Sequence, residues 1–223
     1  MLWVGQFGIA GGQALAQTPW VGVFPEDVRG PDASDLFLLV EPATAGSAEF
    51  CAELKEAVAS IFHSSKASLT GGLLRALQAA HENLREWNRR SVKDQRIAVG
   101  ISCVAVRGQE AHLAQVAPAG AVFYRDDQAQ PVQPSLPDAL EPLGLYEDFW
   151  PEFSLFEMET GDRLLLLTPG LARALPPEEP VASLALPADE ALPALYRRAR
   201  ALPDCGAVLV AAIPNGTGER TDA

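Results

Sequence analysis

Positive charge is what this sequence has least of. Seventeen Lys and Arg stand against 29 Asp and Glu, for a formal net charge of -12. Such a chain lacks the cationic surface that displaces counterions from nucleic acid or docks on anionic lipid, so neither partner is expected. Cysteine is scarce too: Cys51, Cys103 and Cys205 are odd in number, far apart and set in apolar sequence. That excludes a disulfide framework or a zinc site with paired spacings, and predicts buried, reduced thiols. No apolar run approaches the roughly 18 residues of a membrane span. The first segment contains Ala14-Leu15-Ala16, which resembles a signal cleavage site, yet no Lys or Arg precedes Arg29 and Gln6, Gly11, Gly12 and Gln13 interrupt the apolar residues. A first strand and turn are expected there, with a cytoplasmic location. His63, His81 and His112 have no metal-ligand spacing and are expected at the surface. Neither a Gly-x-Ser-x-Gly elbow nor a glycine-rich phosphate loop occurs.

What is present is a chain of 223 residues with 48% hydrophobic content, enough for one sizeable core. A single domain is expected over residues 1–213, followed by a disordered polar tail at 214–223. Val21 to Phe24 and Leu36 to Val40 read as short buried strands. Two helices follow. Ser47 is the N-cap candidate of the first, with Phe50, Leu54, Val58, Ile61 and Phe62 on one face, while Leu69, Leu73, Leu77, Ala80, Leu84 and Trp87 stripe the second. Arg96 to Val106, His112 to Ala117 and Ala119 to Tyr124 then read as an antiparallel meander. Pro131, Pro134, Pro137 and Pro142 predict a loop or flap over 125–150. Further strands are expected at Phe153 to Glu159, Arg163 to Thr168 and Ala207 to Ile213, with a short helix at Leu192 to Leu202. This order predicts an α+β fold: a four-layer α/β/β/α sandwich of two mainly antiparallel sheets flanked by helices.

One phrase carries more than a fold class. Gly161-Asp162, four leucines and Thr168-Pro169-Gly170-Leu171 resemble a segment of the metal-dependent type-2C protein serine/threonine phosphatases that reads Gly-Asp, leucines, Thr-Asp-Gly-Leu. Leu36 to Val40 corresponds to the strand ending in that family's Asp-Gly metal motif, Val116 to Arg125 to its Gly-Asp-Ser-Arg segment, and Asp204-Cys205-Gly206 to its Asp-Asn motif. The resemblance covers nearly the whole chain and implies two divalent metals held by carboxylates, with a polarised water attacking a phosphomonoester.

The departures fall on the ligand positions. Asp-Gly is replaced by Glu41-Pro42, Gly-Asp-Ser-Arg by Ala117-Pro118-Ala119-Gly120, and the Thr-Asp-Gly aspartate by Pro169, which offers no ligand atom. The early segment, which in the family supplies an arginine and an acid, reads Gly12 to Thr18 with neither. Under the resemblance Glu41, Asp204 and Asp162 are vestigial metal candidates. From the residues alone, Glu41 is a polar strand end, Asp204 the cap of a turn, and Asp162 a turn carboxylate accepting backbone N–H groups. Phe149 and Trp150, in Tyr146 to Phe153, are candidate partner contacts or else pins holding the loop to the core. The expectation is a catalytically impaired phosphatase-like protein, a pseudophosphatase with no catalytic residues and no cofactor, which binds a protein partner in signalling or regulation. The alternative is a Mn- or Mg-dependent serine/threonine phosphatase with a reduced metal site.

Overall fold

The computed structural model describes residues 1–26, 33–44, 46–135, 140–176 and 178–214. Its strands are β1 (Leu2–Ala10), β2 (Gln13–Ala14), β3 (Val21–Phe24), β4 (Asp35–Pro42), β5 (Val99–Arg107), β6 (Glu110–Val116), β7 (Gly120–Arg125), β8 (Gln128–Val132), β9 (Glu152–Glu157), β10 (Arg163–Leu167) and β11 (Cys205–Ala212). The helices are α1 (Ala48–Ser64), α2 (Leu69–Arg90), α3 (Pro169–Ala174), α4 (Glu179–Leu184) and α5 (Ala188–Ala199).

The strands form two sheets, ordered β2-β1-β11-β10-β7-β8 and β3-β4-β5-β6-β9. Every paired strand is antiparallel. Helices α1 and α2 cover the five-stranded sheet, and α3, α4 and α5 cover the six-stranded one. This is the expected α/β/β/α sandwich.

Period-two alternation divides the apolar residues between layers. Leu164 and Leu166 of β10 and Val208 and Val210 of β11 enter the core between the sheets, whereas Leu165, Leu167 and Leu209 pack under α3, α4 and α5. Both faces of these strands are therefore buried, which explains an uninterrupted leucine run in an antiparallel sheet. The three cysteines are buried and unpaired, as expected.

Five local expectations are corrected. Residues 125–150 contain a strand: β8 pairs with β7 through a two-residue turn at Asp126-Asp127, whose φ values of 51° and 59° fit a hairpin turn. Pro131 is tolerated because β8 is an edge strand, where a missing N–H breaks no ladder. Ser47 precedes α1 but makes no side-chain cap; its Oγ instead accepts the Ala98 N–H at 2.9 Å, tying the helix start to the approach to β5. Trp87 is 53% exposed rather than part of the α2 core stripe, and packs edge-on against Phe50. His81, expected at the surface, is buried: its Nδ1 accepts the Gly144 N–H at 3.3 Å and its ring stacks on Phe149. The helix placed at Leu192 to Leu202 begins and ends earlier, at Ala188–Ala199, and α4 went unread among Pro176, Pro177 and Pro180. The tail expected at 214–223 lies, beyond Pro214, outside the described residues, as does Pro137.

Candidate functional site

Antiparallel pairing brings distant motifs to one end of the sandwich. The end of β4 pairs with the start of β5 (Pro42 opposite Val99), and the start of β5 with the end of β6 (Ile101 opposite Val116). In the other sheet the end of β10 meets the starts of β7 and β11, with Leu167 opposite Gly120 and Ala207. Glu41-Pro42, Ala117-Pro118, Thr168-Pro169 and Asp204-Cys205 consequently line one cleft of about 470 Å³. Trp20, Leu140, Pro142 and Arg173 contribute to the same lining. The Ala117-Pro118 turn sits directly on β5: a Cβ at Gly100 would lie 2.4 Å from the Pro118 ring. Gly100 is the residue opposite Glu41, so Pro118 closes over the sheet beside that carboxyl.

Glu41 is 2% exposed, and neither carboxylate oxygen has a hydrogen-bond partner among the described residues. Burial pushes its pKa well above the ordinary carboxyl value, and the charge of Arg173 opposes that shift only in part. Asp204 is exposed, and its Oδ1 accepts the Gly11 N–H at 3.0 Å from the β1–β2 turn, which is the turn-capping role. Burial, followed by the charge of Asp204, pushes the Cys205 thiol up to about 11, which disfavours its thiolate. Pro169 is the first residue of α3, a position where its missing N–H costs no bond.

Asp162 is not part of this cleft. It precedes β10 while Pro169 follows it, placing the two roughly a strand length apart, about 20 Å. The Asp162 carboxylate accepts the Glu159 N–H at 2.6 Å, the predicted turn bond, and pairs with both Arg125 Nε at 2.9 Å and the Arg125 terminal nitrogen. The Arg125 pairing carries no signal in the local sequence, because β7 and β10 become neighbours only in the sheet. Phe149 and Trp150 divide the two readings between them: Phe149 is buried against His81 and pins its loop, whereas Trp150 is 56% exposed. The early Gly12 to Thr18 segment stays out of the cleft; Ala14, Leu15, Ala16 and Thr18 line a separate cavity.

Sequence reasoning missed Arg173 and Trp20. Arg173 was within reach, since it stands one helical turn after Pro169 and donates Nε–H to the Pro169 carbonyl at 3.2 Å. Trp20 offered no such signal; its indole N–H is spent on the Ile9 carbonyl at 3.1 Å.

No protein-family model and no curated protein sequence matches the chain. Solved structures do. Serine/threonine phosphatase Stp1 from Staphylococcus aureus superposes with a TM-score of 0.77 at 15% identity, covering 96% of each chain. The fold is that of the type-2C phosphatases. PppA, a key regulatory component of T6SS in Pseudomonas aeruginosa, matches at TM-score 0.72 and 16% identity over 95% of this chain and 98% of its own. The catalytic domain of the serine threonine protein phosphatase PstP, in complex with two manganese ions, matches at 0.68 and 15% over 96% and 99%.

For two cations the cleft of this chain has a poor donor set. Its carboxylates are Glu41, which burial holds toward the neutral form, and Asp204, which has one oxygen engaged by a backbone N–H. Among the described residues, no group of three or more His, Cys, Asp or Glu side chains is placed to hold a metal ion. Two divalent cations at close range need several ionised oxygen ligands, so these residues do not fit a two-metal centre.

Proposed function

We propose that the chain is a pseudophosphatase: a phosphatase-type fold whose cleft no longer supports metal-dependent hydrolysis and which works by binding a protein partner in the cytoplasm. One observation carries this reading. The motifs that carry metal ligands in the resembled family meet in a single cleft, and there they present prolines, one buried carboxyl and one exposed, engaged carboxylate. Loss of charge at separate positions of one site removes the basis for holding two cations together. No helix among the described residues is long and apolar enough to cross a membrane.

The test is hydrolysis of an aryl phosphate with millimolar Mn²⁺. The expected result is no turnover above that of an Asp204→Ala variant. Manganese-dependent turnover that disappears in Asp204→Ala overturns the reading. It would favour the alternative, a serine/threonine phosphatase with a reduced site, which rests on Glu41 and Asp204 sharing the cleft.

A further inference from the structure

The last strand of a sheet carries unpaired backbone groups, and folds ordinarily blunt such edges with Pro, Lys, shortness or a covering segment. Among the described residues the two sheets end in β2, β8, β3 and β9. β2 has two residues, β3 has four, and β8 carries Pro131. β9 has six residues, EFSLFE, with neither Pro nor Lys. Its pairing identifies the groups that face outward. The Met158 N–H donates to the Gln109 carbonyl at 2.8 Å, and hydrogen-bonded pairs alternate along an antiparallel ladder, so Phe156, Ser154 and Glu152 bond β6. Phe153, Leu155 and Glu157 therefore turn their N–H and C=O groups away from the sheet. Arg125 takes the Glu157 carbonyl, but among the described residues no hydrogen bond engages the backbone of Phe153 or Leu155.

The side chains follow the same period. Phe153, Leu155 and Glu157 share one face of the strand, where Phe153 is 36% and Leu155 61% exposed. Glu157 stands directly opposite Glu110 of β6, a like-charge pair that opposes strand pairing. The cations close by act elsewhere. Arg125 holds Asp162 and the Glu157 carbonyl, and the His112 ring reaches Glu110 at 3.5 Å. Among the described residues no cation pairs with the Glu157 carboxylate.

We propose that β9 is the docking strand for an extended segment of a partner protein, with apolar residues beside Phe153 and Leu155 and a Lys or Arg beside Glu157. The proposal rests on the binding-protein reading above. An added strand satisfies the outward backbone groups of Phe153 and Leu155 and covers their exposed side chains. Its basic residue offsets the repulsion between Glu157 and Glu110. A second copy of the chain fits the edge poorly, because its β9 holds no cation to set beside Glu157 and it brings another net charge of -12.

The experiment is calorimetric titration of the full chain with acetyl-Thr-Lys-Thr-Val-Thr-Ile-Thr-amide, which in antiparallel register sets Lys beside Glu157, Val beside Leu155 and Ile beside Phe153. Saturable binding is expected, with amide exchange slowed at Phe153 and Leu155. N-methylation of the peptide valine removes the N–H aimed at the Leu155 carbonyl and should weaken binding about tenfold. Replacing the peptide lysine by glutamate should weaken it about fivefold, and Glu157→Lys should reverse that preference. Circular dichroism establishes that the variant is folded. No binding up to about 5 mM, equal affinity for the N-methylated peptide, unchanged exchange at Phe153 and Leu155, or a lysine preference that survives Glu157→Lys would each overturn the proposal. So would sedimentation showing a dimer of the peptide-free chain that Leu155→Lys dissolves, since a second copy would then occupy the edge. Absence of peptide binding without manganese-dependent hydrolysis defeats this inference alone, whereas the appearance of that hydrolysis defeats the reading beneath it.

Discussion

The two ends of the sandwich hold buried acids in opposite ways. Before β10, Asp162 is 3% exposed and its carboxylate is answered by Arg125 and by the Glu159 N–H. Beyond the far end of the same strand, Glu41 is 2% exposed and neither oxygen is answered by a hydrogen bond among the described residues. The Asp162 end is a staple. Arg125 belongs to β7 in the six-stranded sheet, yet its guanidinium also donates to the Glu157 carbonyl of β9 in the other sheet at 2.7 Å, beside a stacked Phe123–Phe156 pair. The difference teaches that burial of an acid is not by itself a sign of function. A satisfied acid joins layers together, and an unsatisfied one has its pKa pushed up by burial instead.

Removing the staple should produce the largest effect on stability. Asp162→Ala leaves the Arg125 guanidinium and the Glu159 N–H without their acceptor, and a loss of about 3 kcal/mol is expected in urea unfolding. A loss below about 1 kcal/mol would break the comparison, by showing that Glu159, 3.8 Å from Arg125, takes over.

Glu41→Gln acts the other way, and its effect depends on pH. Because burial raises the folded-state pKa of Glu41 above the ordinary 4.5, the native state binds more protons than the unfolded one above that value. Stability therefore falls as pH rises from about 4.5 toward the folded pKa, a cost the amide does not carry. The stability of Glu41→Gln minus that of the parent should grow by about 1 kcal/mol or more between pH 4.5 and 7. A pH-independent difference would mean that Glu41 finds a partner when ionised. Asp204→Ala should have the smallest effect, about 0.5–1 kcal/mol by thermal unfolding, because it removes one bond from an exposed side chain to the Gly11 N–H.

Most of the architecture could be read from residue pattern. The leucine run of β10, the stripes of α1 and α2 and the turn glycines are local signals whose periodicities state which residues are inside. The reading failed where a local rule met a non-local exemption. Pro131 denies a strand until β8 is seen to lie at a sheet edge, and His81 belongs at a surface until the Phe149 loop is seen to fold over it. Of the candidate site, Glu41, Asp204 and the prolines were recognisable as positions in a resemblance. Arg173 was legible only through its place one helical turn after Pro169, and Trp20 was not legible at all, because no chemistry-bearing motif in the sequence contains it.

By itself, the sequence determined the order of most elements, the apolar character of β10 and β11, and the absence of side-chain ligands at Pro42, Pro118 and Pro169. These follow from side-chain chemistry and backbone period, which are local. Only the tertiary structure decided that Glu41 has no hydrogen-bond partner among the described residues, that Asp162 is a staple at the opposite end, and that four separated turns share one cleft. The reason is physical. The state of a buried carboxyl depends on the donors that strand pairing brings to it, and those donors come from parts of the chain that no local pattern connects.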